Sequence, residues 1–177
     1  KWVANGHGFD NGGGGWAAEP WYQAEMPLTQ DVADAAKEKS DVAVVLIGRT
    51  AGEDKDAQNV AGSYLLTDTE KQMLDVVTKT FDKVVVVLNV GNVMDMKWAE
   101  DYDIDSILYA WQGGMNGGDG VADVLTGDVN PSGHLADTIA REYEDYPSAK
   151  YFGRTDYNFY AEDVYVGYRY FETFAQD

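Results

Sequence analysis

The sequence contains no cysteine and only two histidines, which leaves little material for several kinds of chemistry. Disulfide bonds, thiolate catalysis and cysteine-bound metals are excluded. His7 and His134 lie far apart in the chain, and neither belongs to an HExxH pattern. Asp54 and Asp56 could face a hard cation, but two acids in a polar loop are usually only solvated. We therefore predict neither a metal site nor a bound cofactor.

Positive charge is scarce, because 13 lysines and arginines stand against 31 aspartates and glutamates. The formal net charge of −18 repels phosphate backbones and anionic lipids, so nucleic acids and membranes are poor partners. A solvated, self-repelling surface is the simplest explanation of this charge. No apolar run reaches the ~20 residues of a membrane-spanning helix. Residues 1–15 hold no signal-peptide core, so we expect a cytoplasmic rather than a secreted location.

The 177 residues suit one domain of ordinary size that follows an irregular segment. Residues 1–28 contain four consecutive glycines and several large aromatics, namely Trp2, Phe9, Trp16, Trp21 and Tyr22. A flexible linker is the alternative, but linkers seldom contain so many aromatics. We predict a packed loop over residues 1–28 and a folded domain over residues 29–177. Because the first residue is not methionine, we also expect the chain to be a fragment of a larger multidomain protein.

Helical and strand patterns alternate after residue 28. Continuous apolar runs at 42–47 and 84–88 predict strands that are buried on both faces, and residues 104–111 predict a third strand. Helices are predicted from Thr29, from the capping-box spacing of Thr67 and Glu70, and over residues 94–102 and 120–125. This alternation predicts the α/β class, as a three-layer αβα sandwich with a mostly parallel sheet.

The tail has a different pattern, because tyrosines recur every few residues between 143 and 174. Residues 164–171 alternate as a strand would. These rings could line a sugar site, but packing against a sheet edge is the default interpretation.

Three loops leave the carboxyl ends of the predicted strands, where open parallel sheets bind ligands. They cover residues 48–56, 89–92 and 111–118. The first loop holds the densest charged cluster, formed by Arg49, Glu53, Asp54 and Asp56. Glu53 follows a glycine, and a carboxylic acid that is partly desolvated at a cleft gains a raised pKa that suits proton donation. An exposed loop acid without a catalytic role is the alternative for Glu53.

Glycines at 113–118 precede a predicted helix and resemble a phosphate cradle only loosely. The sequence has no GxxxxGK[ST] motif and no GxGxxG directly after the first strand. A GxSxG elbow is absent as well, which argues against a serine hydrolase triad. A flavodoxin-like nucleotide binder is therefore only a rival interpretation.

Four stretches of the sequence carry a family resemblance, at residues 40–53, 111–118, 121–135 and 165–171. The NPSG element at 130–133, with ADVL before it and VGYRYF after it, is the most specific part. Together these stretches resemble the α/β sandwich domain of family 3 glycoside hydrolases, which are mostly β-glucosidases and β-xylosidases. The resemblance covers roughly residues 25–174.

The resemblance implies a retaining mechanism shared between two domains. A separate (β/α)₈ barrel would supply the aspartate nucleophile, and Glu53 matches the acid/base glutamate of the sandwich domain. The implied partners are a β-linked glucoside or oligosaccharide and the missing barrel. Arg49 and Asp54 become candidates to orient Glu53 and to contact the substrate, and Trp111 becomes a candidate sugar platform.

The sequence also departs from the family pattern. No barrel and no Ser-Asp-Trp nucleophile motif occurs in the 177 residues, so the chain alone is expected to be inactive. Asn116 stands where relatives have an acid, and His134 and Asp137 stand where relatives often have arginine and proline. The rival function from another class is a non-catalytic carbohydrate-binding or interaction domain of the same fold.

Overall fold

Three parallel strands form the sheet at the centre of the fold. The computed structural model describes residues 5–174, so Trp2 lies outside the described residues. Strand β1 (Val42–Gly48) pairs with β2 (Lys83–Asn89), and β2 pairs with β3 (Ser106–Tyr109), which makes the sheet order β1-β2-β3. The parallel pairing confirms the α/β sandwich that the alternating pattern predicts.

Four α-helices accompany the strands in the described part of the chain. They are α1 (Gln30–Lys37), α2 (Asp68–Thr80), α3 (Gly117–Thr126) and α4 (Tyr168–Phe174), with short 3₁₀ turns at Lys97–Glu100 and Tyr143–Asp145. Helix α2 begins at the predicted capping box, in which the Thr67 hydroxyl accepts from the Glu70 amide and the Glu70 carboxylate accepts from the Thr67 amide. Within residues 5–174, no helix has the length and apolar character that crossing a bilayer needs.

The hydrophobic core lies on one face of the sheet, under α2. The in-register pairing of β1 with β2 sets Val45 beside Val86 and Ile47 beside Leu88. All four side chains are buried, and Leu74 of α2 packs against them. Since β2 is the central strand and Val87 on its other face is also buried, the prediction of burial on both faces is confirmed for β2.

For β1 that prediction is wrong. Val44 and Leu46, which point away from α2, are 54% and 58% exposed. The reason lies in the topology: β1 is the edge strand of the described sheet. Among residues 5–174 no helix packs closely on this face of β1, where Leu46 borders a cavity. A cavity of about 370 Å³ separates Leu46 and Val87 from Gly117 and Val121 of α3.

Two predicted elements of the second half also differ from the structure. The helix expected over residues 94–102 is only a 3₁₀ turn, which buries Trp98. The strand expected over residues 164–171 is wrong, because α4 begins at Tyr168. Tyr170 and Phe174 contact each other one helical turn apart, with ring centroids separated by 5.4 Å. Helix-spaced aromatic contacts thus replace the strand pairing that the alternation suggested.

Candidate active site

The three loops predicted at the carboxyl ends of the strands meet in the structure. Gly91, after β2, is the point of contact between them. A Cβ atom added to Gly91 would lie 2.5 Å from the Cβ of Ala51 in the first loop and 2.9 Å from the Gln112 side chain in the third. Only glycine allows this close approach. The loops therefore form one continuous surface at this edge of the sheet.

Glu53 lies at the tip of the first loop in a tight turn. The Lys55 amide donates to the Gly52 carbonyl at 3.1 Å, so that Glu53 and Asp54 occupy the middle of the turn. Gly52 has a φ of +146° and Asp54 a φ of +58°, values that most residues avoid and that aspartate tolerates better than most. Glu53 is exposed, and its carboxylate has no hydrogen-bond partner among residues 5–174.

Arg49 lies at the start of this loop, and its guanidinium N–H groups all donate to oxygen atoms of the protein. Its guanidinium makes a bidentate ion pair with Glu70 at 2.6 and 2.8 Å, and the two side chains are only 5% and 1% exposed. The remaining donors meet main-chain carbonyls, those of Gly48, Ser63 and Leu65. Because a guanidinium has five donors and all are used, the geometry favours a positioning role for Arg49 over direct contact with a sugar.

Part of the irregular segment that precedes α1 lies against the first loop. We call this part, residues 16–22, the strap. The Thr50 amide donates to the Trp21 carbonyl at 2.6 Å, and the Trp16 indole donates to the Asp54 carboxylate at 2.9 Å. The Lys55 ammonium donates to strap carbonyls and lies 5.6 Å from the centroid of the Trp21 ring. The aromatic segment is therefore tied to the loop that presents Glu53.

A cavity of about 420 Å³ opens beside the three loops. Gly91 and Asn92 of the second loop and Trp111 of the third form part of its wall. The rest of the wall comes from the end of the first loop, the tail and the segments between them, through Asp56, Ala57, Tyr64, Val93, Asp137, Tyr143, Tyr146, Ser148, Ala149 and Phe152. Of the four residues predicted from the sequence, Trp111 lines this cavity, whereas Glu53, Arg49 and Asp54 do not.

Trp111 is held in an unusual backbone conformation. Its φ is +56°, which is an outlier for a bulky residue, and its ring packs on Tyr109 at a centroid distance of 4.4 Å. The Tyr109 hydroxyl donates to the Asn92 carbonyl at 2.8 Å. Burial raises the pKa of Tyr109 to about 12, so this hydroxyl keeps its proton at neutral pH. Tyr109 thereby connects Asn92 of the second loop with the ring of Trp111 in the third loop.

Residues 11–168 match the family model described as the glycosyl hydrolase family 3 C-terminal domain. The chain belongs to glycoside hydrolase family 3. This finding confirms the resemblance carried by the NPSG element and the loops. It also agrees with the α/β architecture of the sheet and helices.

Known relatives of this family 3 domain are much longer proteins. A β-glucosidase of Ruminococcus albus is 53% identical over 171 residues, which are 97% of this chain and 18% of that protein. β-Glucosidase A of Butyrivibrio fibrisolvens is 41% identical over 84% of this chain and 21% of its own length. The chain spans about a fifth of the length of these relatives.

Solved structures show the same relationship. The crystal structure of a β-glucosidase from Paenibacillus barengoltzii matches with a TM-score of 0.92 and 56% identity, over 98% of this chain and 19% of that chain. β-Glucosidase 3B from Thermotoga neapolitana, solved with glycerol, matches with a TM-score of 0.77 and 38% identity, over 90% of this chain and 24% of that chain.

Two carboxyl groups of this family 3 domain have environments that no sequence pattern indicates. Burial, followed by the negative charge of Glu70, raises the pKa of Glu25, and Arg49 partly opposes this effect. Burial also raises the pKa of Asp95. Neither carboxyl lines the cavity of about 420 Å³. Their pKa shifts arise from burial, which the sequence around them does not reveal.

The aromatic wall of the cavity was also absent from the predicted site. Tyr143 and Tyr146 come from the tail, whose rings we expected to pack on a sheet edge. Burial, reinforced by the neighbouring Tyr146 hydroxyl, raises the pKa of Tyr64. The recurrence of tyrosines was the only signal available, and it does not say which rings meet the loops.

Proposed function

We propose that this domain supplies the general acid/base of a retaining β-glucosidase and that Glu53 is that residue. The observation that carries the proposal is the isolated, exposed carboxylate of Glu53 at the tip of a tight turn in the first of the three loops. A proton donor for a substrate held largely by another domain must be accessible on the surface of its own domain. The names of the relatives support the reaction class, since they are called β-glucosidases.

In the proposed reaction, Glu53 acts twice. It first protonates the glycosidic oxygen while an aspartate of the barrel attacks the anomeric carbon, so that the alcohol leaves and the sugar is bound covalently to the barrel. The Glu53 carboxylate then removes a proton from water, which attacks the anomeric carbon and releases the aspartate. Glu53 is protonated again at the end, so protons balance over the cycle.

The cavity of about 420 Å³, which the loop of Glu53 lines through Asp56, supplies part of the sugar-binding cleft in this proposal. Trp111, Tyr146 and Phe152 offer apolar ring faces, and Asn92 and Asp137 offer hydrogen-bonding groups. A wall that combines aromatic rings with a few polar groups suits the alternating apolar and hydroxylated surfaces of a pyranose. Arg49 lies outside this wall and stays a candidate to orient the loop.

The division of the active site between two domains can be tested with a 2-deoxy-2-fluoroglucosyl fluoride, which leaves a long-lived glycosyl ester on a retaining nucleophile. We expect the full-length enzyme to be labelled on a carboxylate outside these 177 residues. The isolated chain should be unlabelled and should not hydrolyse an aryl β-glucoside. Peptide mapping by mass spectrometry measures the first result. A glycosyl ester on a residue of this chain, or robust turnover by the chain alone, would disprove the arrangement.

The cavity also favours the alternative function, a non-catalytic carbohydrate-binding domain, because it is formed by this chain alone. If the barrel is needed to complete the sugar-binding cleft, the isolated chain should bind cellobiose no tighter than about 1 mM in a calorimetric titration. Tighter binding that Trp111→Ala abolishes would favour the binding domain. Galactose serves as the control ligand for nonspecific heats.

A further inference from the structure

We propose that Lys55 and Trp16 are positioning residues that hold Glu53 in place for proton transfer without touching the substrate. This inference rests on the proposed function of Glu53. Lys55 and Asp54 follow Glu53 directly in the chain, and the side chains of both are fixed by the strap. The strap would therefore fix the position of Glu53 through its contacts with the two residues that follow Glu53 in the chain.

Lys55 is the main anchor. Its amide closes the turn by donating to the Gly52 carbonyl, and its ammonium donates to the Ala17 carbonyl at 3.0 Å and to the Glu19 carbonyl. The ammonium also lies over the Trp21 ring, a favourable cation–π arrangement. The ammonium is thus engaged by the strap, and Lys55 does not line the neighbouring cavity. These contacts favour a positioning role over direct contact with a sugar.

Trp16 is the second anchor. Its indole N–H donates to the Asp54 carboxylate, at the residue that adopts the left-handed backbone conformation. A left-handed non-glycine residue persists only where its surroundings hold it. Trp16 is itself 75% exposed, so its hydrogen bond should contribute less than the partly buried contacts of Lys55.

The turn depends on these anchors because Glu53 itself has no partner among the described residues. A general acid must be within hydrogen-bond reach of the leaving oxygen, and small misplacements are costly. The Arg49–Glu70 ion pair fixes the base of the loop at the end of β1, whereas the strap fixes its tip. The consequence is a specific kinetic signature: loss of the anchors should affect the reactions that need protonation more than those that do not.

The test compares two substrates in the full-length enzyme. Lys55→Met keeps the aliphatic chain but removes the ammonium, and it should lower kcat/KM for cellobiose roughly 10- to 100-fold. An aryl β-glucoside with a strongly acidic phenol needs little protonation, so its kcat/KM should change less than about threefold. Lys55→Arg retains donors for the strap carbonyls and should recover most of the cellobiose activity. Trp16→Phe should show the same pattern with a smaller loss.

Lys39→Met, at an exposed lysine near the opposite end of β1, is the matched control and should leave both rates unchanged. Equal losses on both substrates, or a rise in KM alone, would overturn the positioning role of Lys55. If Lys55→Met does not fold, Trp16→Phe provides the same comparison and equal losses again overturn the proposal. Glu53→Ala is measured in parallel: normal cellobiose activity in that variant would refute the proposed function itself, whatever Lys55 does.

Discussion

Glu53→Ala in the full-length enzyme is expected to lower kcat/KM for cellobiose by roughly 10²- to 10⁴-fold, the contribution typical of a positioned general acid. The alkoxide leaving group of cellobiose is a poor one, so in the proposed mechanism its departure depends on a proton from Glu53. An aryl β-glucoside with a strongly acidic phenol should still form the glycosyl-enzyme at nearly the normal rate. Steady-state and single-turnover kinetics on both substrates measure the difference.

The second step offers an independent check of the same residue. Without the base, water should attack the glycosyl-enzyme slowly, so the covalent intermediate should accumulate in the Glu53→Ala variant. Azide needs no deprotonation, so it should restore turnover and yield a β-glucosyl azide. Glu38→Ala, which removes an exposed acid next to α1, is the control and should behave like the wild type. If cellobiose hydrolysis is unchanged in Glu53→Ala, then Glu53 is not the acid/base.

Arg49→Met is expected to destabilise the fold by about 3–5 kcal/mol, the usual cost of removing one partner from a buried ion pair. Methionine would leave the Glu70 carboxylate buried without its cation, and the Ser63 carbonyl without the donor that Arg49 supplies. Urea unfolding of the 177-residue chain, followed by tryptophan fluorescence, measures the change in the free energy of unfolding. A marginal domain could lose its fold altogether in this variant.

Two further variants separate the ion pair from general disruption of the core. Arg49→Met combined with Glu70→Leu removes both charges, so the double variant should be less destabilised than the sum of the single variants. Part of the loss should persist, because Glu70 also caps α2 through the Thr67 amide. Lys79→Met, which breaks an exposed pair with Asp75, should cost less than about 1 kcal/mol. A similarly small effect of Arg49→Met would show that the guanidinium is available for another role.

The loops and the centre of the sheet were predictable because they follow from local rules. Apolar β-branched runs at the positions of β1 and β2 predict parallel strands, and the spacing of Thr67 and Glu70 predicts the start of α2. Parallel strands bring their carboxyl ends to one edge, so the meeting of the three loops around Gly91 follows as well. The family was also recognisable from the NPSG and VGYRYF elements.

The surroundings of the site were not predictable in the same way. Nothing near Arg49 in the sequence identifies Glu70, which lies on α2, as its partner. The contacts of Trp16 and Lys55 join segments about 38 positions apart in the chain. The tail was misassigned because alternating aromatics suit either a strand or a short helix, and only the available packing partners decide between them.

The sequence by itself determined that Glu53 follows the first strand of an α/β sandwich, because strand, turn and helix preferences act over a few residues. The tertiary structure decided how that residue is held. The Arg49 side chain is engaged in a buried ion pair, and the strap binds the two residues after Glu53. The structure also decided that tail tyrosines line the cavity of about 420 Å³. Burial and long-range hydrogen bonds depend on which segments come together in space. For the same reason only the structure showed that Val44 and Leu46 on one face of β1 are exposed among residues 5–174.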